Sequence, residues 1–154
     1  MRAGYAIVDE PSPSRLSHLT VQPTMPLLGL MLGGAWLAWP WFVVNALAMG
    51  SPTRRREIAL VVVAFVVSIV LAGSILLALH LGLIQVGVAR YAVLAVTVWK
   101  LGIAYWLHTL QSRTFGVYEH FGGCVRNGLG VLVIGFIVRA WFVTLPDFVW
   151  LVFG

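Results

Sequence analysis

Between Glu57 and Arg90 the chain carries no formally charged residue, and the stretch reads "IALVVVAFVVSIVLAGSILLALHLGLIQVGVA". A helix or strand of a soluble core shows polar residues on its outer face, so an apolar run of this length is interrupted in water-soluble folds. Comparable blocks lie on both sides of it. Of 154 residues, 60% are hydrophobic and 10% charged, whereas an ordinary soluble domain is about a quarter charged. A soluble domain of this size has too little interior to hide so much apolar surface. The expectation is a multi-pass integral membrane protein with the lipid bilayer as its first partner.

Four blocks are near or above the roughly 20 residues that a hydrocarbon core requires, at about 26–48, 58–81, 91–110 and 129–148. Backbone groups in lipid must be satisfied within the segment, and the chain lacks the alternation of a barrel strand. The sequence therefore predicts an all-α, four-helix transmembrane bundle with short loops. An irregular N-terminal arm over about residues 1–25 precedes it, where Pro11, Pro13 and Pro23 oppose helix. The arm lacks the charged-then-apolar order of a signal peptide.

The net charge of +5 could suggest nucleic acid, but the arginines sit at the ends of apolar blocks, where lipid headgroups hold them. Arg54, Arg55 and Arg56 fall in the first linker, Arg113 and Arg126 in the third. Cytoplasmic loops collect Lys and Arg. With Arg2, Arg15 and Arg90 on the other side, the bias places both termini in the periplasm. Within the third linker, "TFGVYEHF" suits a short turn in the headgroup layer. Trp36, Trp39, Trp41 and Phe42 early in the chain, and Trp141, Trp150 and Phe153 late in it, fit interfacial or packing positions.

Small residues mark packing faces. Gly29 and Gly33 form a GxxxG, continued by Trp36 and Pro40; Ala64, Ser68 and Ala72 make a stripe in the second block. Intrachain packing is the simpler reading, a dimer seam the other. No block shows the paired Gly and Pro interruptions of a transporter's broken helices.

The third block holds the sharpest feature. Thr97, Lys100, Ala104, His108 and Gln111 fall in one sector at helical spacing, with Arg90 at its edge. Gly128, Gly135, Arg139 and Pro146 share one side of the fourth block. Lys100 and Arg139 thus stand at similar depth, where a charge costs about 2.5–3.5 kcal/mol on insertion scales. The carboxylates Asp9, Glu10, Glu57, Glu119 and Asp147 all lie away from mid-block. Asp147 is about 12 Å from Arg139 along a straight helix. Three explanations compete: snorkelling or carbonyl binding, an acid supplied by another subunit, or an anion or proton pathway. The missing counter-charge favours a partner outside the chain, with Thr97, His108, Gln111 and Asp147 around it.

Catalytic constellations are thin. Cys124 is the single cysteine, so neither an intrachain disulfide nor a cysteine-based metal motif exists. His80, His108 and His120 are scattered, and Glu119 beside His120 points elsewhere on a helix. No HExxH or GxSxG occurs, and "GGCVRNGLG" lacks the Lys-Ser/Thr of a phosphate loop. Haem ligation by His80 or His108 has no partner motif. The expectation is no enzyme, no metal and no cofactor.

"VQPTMPLLGLMLGGAWLAWPWFVVNALAMGSPTRR" resembles the opening of small bacterial multi-pass inner-membrane proteins of unassigned function. The matching positions are Pro23, Gly33, Gly34, Asn45 and Gly50, with Met49 where leucine is usual, and "HFGG" at the third linker is also similar. The likeness covers about a third of the chain and implies a bacterial inner-membrane location without a known activity. Together these features point to a non-catalytic accessory or assembly subunit of a larger membrane complex. The alternatives are a small anion or proton conduit, acting alone or as a homo-oligomer, and an immunity-type protein that blocks a membrane toxin.

Overall fold

The computed structural model describes residues 15–142, 144 and 146–154. Arg2 and most of the expected arm fall outside the described residues. Among those described, the chain is all helical: a 3-10 turn at Ser17–Leu19, then α1 (Thr24–Leu32), α2 (Ala35–Met49), α3 (Arg54–His80), α4 (Val86–His120), α5 (Leu129–Phe142) and α6 (Asp147–Phe153). Extended pairing is limited to one isolated bridge between Val21 and Arg126.

Among the described residues two helices, not four, are long and apolar enough to cross a membrane: α3 and α4. Only 28% and 22% of their apolar windows are buried, which is unlike the core helix of a soluble protein. They form an antiparallel pair joined through Gly82, whose φ of 67° closes α3. The expected third block at 91–110 is too short. No proline lies between Val86 and His120, so α4 continues for 35 residues, about 52 Å at the helical rise. The "TFGVYEHF" segment is its last turns and not a separate interfacial turn.

The first block is not a crossing. Gly33 and Gly34 break it into α1 and α2, and the contacts run antiparallel. Val21 N–H donates to Asn45 Oδ1 at 3.0 Å. A methyl built on Gly29 would lie 3.2 Å from the Trp41 ring, and Gly33 abuts Leu37. The chain thus enters from the end of the bundle that carries Glu57 and Arg126, turns at Gly34, and returns to the same end at Gly50. Gly34 holds φ 101° and ψ 179°, a conformation open essentially to glycine alone. Hydropathy cannot distinguish this hairpin from a crossing, because both hide apolar side chains over the same length.

The fourth block is broken as well. Helix α5 runs alongside α1, with Gly128 against Met25 and Trp41, and Gly135 against Leu37. Pro146 precedes α6, which reverses direction. Asp147 borders Leu79 and Ala89 near the α3–α4 turn, while Leu151 and Val152 pack on Ala72 and Phe153 on Phe65 at 5.6 Å between ring centroids. Helix α6 therefore enters from the opposite end and stops halfway. The absence of broken segments expected from the sequence is corrected on both counts.

The main core joins Leu30, Ala35, Trp39 and Phe42 to Val61, Ala64, Ile103 and Leu107. Ala64, Ser68 and Ala72 are fully buried, so the small-residue stripe packs within the chain, as does the Gly29/Gly33 pair. The start of the described chain is also displaced from expectation. Arg126 N–H donates to Thr20 O at 2.8 Å, which puts residues around 20 at the same end as the first and third linkers, not opposite them. Arg15 thereby joins Arg54, Arg55, Arg56, Arg113 and Arg126 at one end, all exposed, against Arg90 at the other. Among the described residues, six exposed arginines thus stand at one end and one at the other. Gly154 lies at neither end but inside, beside Lys100.

Candidate functional site

The two half-length elements meet tip to tip at mid-depth. The α6 end packs on the Gly34 turn so closely that a Cβ there would stand 2.5 Å from Phe153 O. The carboxyl end of α6 thus faces the amino end of α2, a favourable alignment of helix dipoles. Lys100 reaches this junction from α4. It is 5% exposed, and its Nζ donates to Leu151 O at 2.7 Å and approaches Gly154 O at 3.5 Å. Arg139, half-buried on α5, donates from Nη1 to Met31 O at 2.7 Å, and Trp36 Nε1 donates to Gly33 O at 2.7 Å. Two cations and an indole therefore satisfy carbonyls that helix ends and a broken backbone leave without intrahelical donors.

A lysine amid an apolar run thus meets carbonyls of its own chain, those of Leu151 and Gly154. Lys100 and Arg139 both line a cavity of about 230 Å³ together with Thr97, Val93, Leu101 and Trp150. Neither forms an ion pair with a side-chain carboxylate among the described residues. Thr97 is exposed and bonds Val93 O at 3.2 Å. The rest of the expected stripe separates from this site. His108 stacks on Tyr105 and accepts Ser112 Oγ on its backbone oxygen at 2.7 Å. Asp147 is exposed at the far end and borders a different depression.

Gln111 belongs to a second polar centre, eleven residues along α4 and about 16 Å away. It is fully buried. Its Nε2 donates to Glu57 Oε2 at 2.9 Å and to Phe42 O at 2.8 Å, while Oε1 accepts Asn45 Nδ2 at 3.0 Å. Glu57, 1% exposed, also accepts Ser51 Oγ at 2.5 Å and Thr53 Oγ1 at 2.7 Å on Oε1. Thr114 closes the ring, its hydroxyl 3.4 Å from Ser51 Oγ. Placed in a linker by the sequence, Glu57 is instead a buried acid that joins α2, α3 and α4. Its signal was available: it is the one carboxylate in the first turn of α3, where the helix dipole favours it and where Ser51 and Thr53 precede it as short hydroxyl donors.

Among the described residues, no three His, Cys, Asp or Glu side chains cluster as metal ligands. Comparison with known proteins finds no matching family model, no similar curated protein and no similar solved structure.

Proposed function

We propose that the chain is a non-catalytic integral protein of a bacterial inner membrane, and that it serves as a small anion or proton conduit, by itself or as a homo-oligomer. The observation that carries the reading is the tip-to-tip meeting of two half-length elements, entering from opposite ends, beside two cations at mid-depth. Irregular backbone at membrane depth is tolerated where it is enclosed by protein or lines a wet cavity. Discontinuous helices whose termini converge at mid-depth are how membrane proteins build sites for small charged species. Many large apolar side chains of α3, α4 and α5 face outward, among them Val66, Val70, Leu94, Ile134 and Trp141, and suit contact with lipid tails.

In this arrangement the arginine-rich end is cytoplasmic. Cys124 is exposed and stands at that end beside Arg126, so it is a natural reporter. A membrane-impermeant maleimide should label it in inverted inner-membrane vesicles and fail to label it in intact spheroplasts. The reverse pattern would overturn the orientation.

For transport, liposomes containing only this protein should show a voltage-dependent flux of halide or protons. Lys100→Gln with Arg139→Gln should lower that flux about tenfold, the equivalent of 1.4 kcal/mol at the site. No flux under any voltage or pH gradient would refute the conduit. The accessory-subunit reading stands second, supported by the exposed Pro146 and Asp147 at the start of α6, polar surface that another subunit would cover. Co-purification of a stoichiometric membrane partner, lost on Asp147→Leu, would favour it.

A further inference from the structure

We infer that the cavity between Lys100 and Arg139 is a binding site for one small monovalent anion, of halide or formate size. The inference deepens the conduit reading by naming the species and the groups that hold it. Charge balance is the first reason. The two side chains bring two positive charges to one cavity. The carboxyl ends of α1 and α6 offset roughly half a charge each, and the amino end of α2 adds back about as much as one of them removes. Gly154 O, 3.5 Å from Lys100 Nζ, cancels a further charge where it is a carboxylate oxygen; Arg139 is then the cation left for an anion to meet, in surroundings where field lines are poorly screened.

Donor capacity is the second. An ammonium has three N–H donors and a guanidinium five. Arg139 spends one on Met31 O, and Lys100 makes one close bond to Leu151 O and a long one to Gly154 O. Most of the guanidinium donors, and at least part of the ammonium's capacity, remain for a ligand. Both cations are fixed in place by the bonds they do make, so the site is preorganised. Space is the third reason. About 230 Å³ accommodates a small anion with a few waters, each of which occupies about 30 Å³ in the liquid. Apart from the two cations, Thr97 and Gly154, the walls are apolar, with Leu30, Val96, Leu101 and Trp150 among them. A divalent oxyanion would lose more hydration there than two fixed cations return.

The test is chloride-35 NMR line broadening of the full chain in mild detergent, with formate and sulfate as competitors. Saturable broadening is expected, displaced by formate and not by sulfate. Arg139→Gln should weaken it at least about tenfold, and Lys100→Arg should retain it. Arg139 is half-buried, so its variant keeps the test usable if Lys100→Gln fails to fold; circular dichroism checks both. Non-saturable broadening, or saturable broadening unchanged by Arg139→Gln in a folded protein, overturns the site. Binding without flux would leave the site standing and sink the conduit. Flux without binding would do the opposite.

Discussion

Replacing Gln111 with leucine should destabilise the fold by about 3 kcal/mol, more than any exposed substitution on the same helix. The side chain is completely buried and links Asn45, Phe42 O and Glu57. Leucine fills similar space but leaves three polar groups without that partner, one of them a carboxylate oxygen. Interhelical hydrogen bonds in membrane proteins average only about 0.6 kcal/mol each, but a desolvated acid with a missing donor costs more than a neutral pair. Reversible unfolding in mixed micelles measures the effect. The Gln111→Leu, Glu57→Leu double variant should cost about 1 kcal/mol less than the sum of the two singles, since each removes the other's unsatisfied partner. Strict additivity would show that the two residues are not coupled. Arg113→Leu, on the exposed face of α4, should lie within about 0.5 kcal/mol of the parent.

Gly34→Ala should be at least as damaging. Two independent constraints act on this one residue. Its φ and ψ of 101° and 179° belong to a region that costs an alanine about 1–3 kcal/mol. The added methyl would also stand 2.5 Å from Phe153 O and 3.2 Å from the Gly154 carbonyl carbon, and backbone atoms do not swing aside as a flexible side chain does. The half-helix α6 must therefore be pushed off the turn, taking Leu151 O away from Lys100. A loss of about 3 kcal/mol, or roughly 6–12 °C in Tm for a domain of this size, is expected. Gly73→Ala serves as the control, because a methyl there meets nothing within 4 Å and helix propensity improves by about 1 kcal/mol. Equal stability of Gly34→Ala and the parent would mean that the meeting of the two tips is not a structural constraint.

The all-helical class, the position of α3 and the similar depth of Lys100 and Arg139 were legible in the sequence, because each rests on local composition or on helical spacing. The course of the chain was not. Residues 26–48 have the length and hydropathy of a crossing, and only the Gly33–Gly34 pair, with Trp36 and Pro40 close behind, marks a reversal. The same pair serves equally well as close helix packing, which is how its spacing reads. Pro146 likewise marked the turn into α6, yet one proline bends a helix as readily as it ends one. Gln111 was placed on the stripe with Lys100, correctly for one helix face. Eleven residues of separation, however, put it in a different polar centre. Its acid partner Glu57 was lost because a carboxylate beside three arginines reads as a surface charge. Burial of that kind depends on helices distant in sequence, and no window of residues contains it.

The reversal at Gly34 has a bearing on what keeps the hairpin in the membrane. Helices α1 and α2, of 9 and 15 residues, each fall short of the roughly 20 that a hydrocarbon core requires, and the surfaces they dock on belong largely to α3, α4 and α5. Neither half of the hairpin can hold its place by itself: it seats only against the longer helices, and α6 closes on Gly34 from the far side.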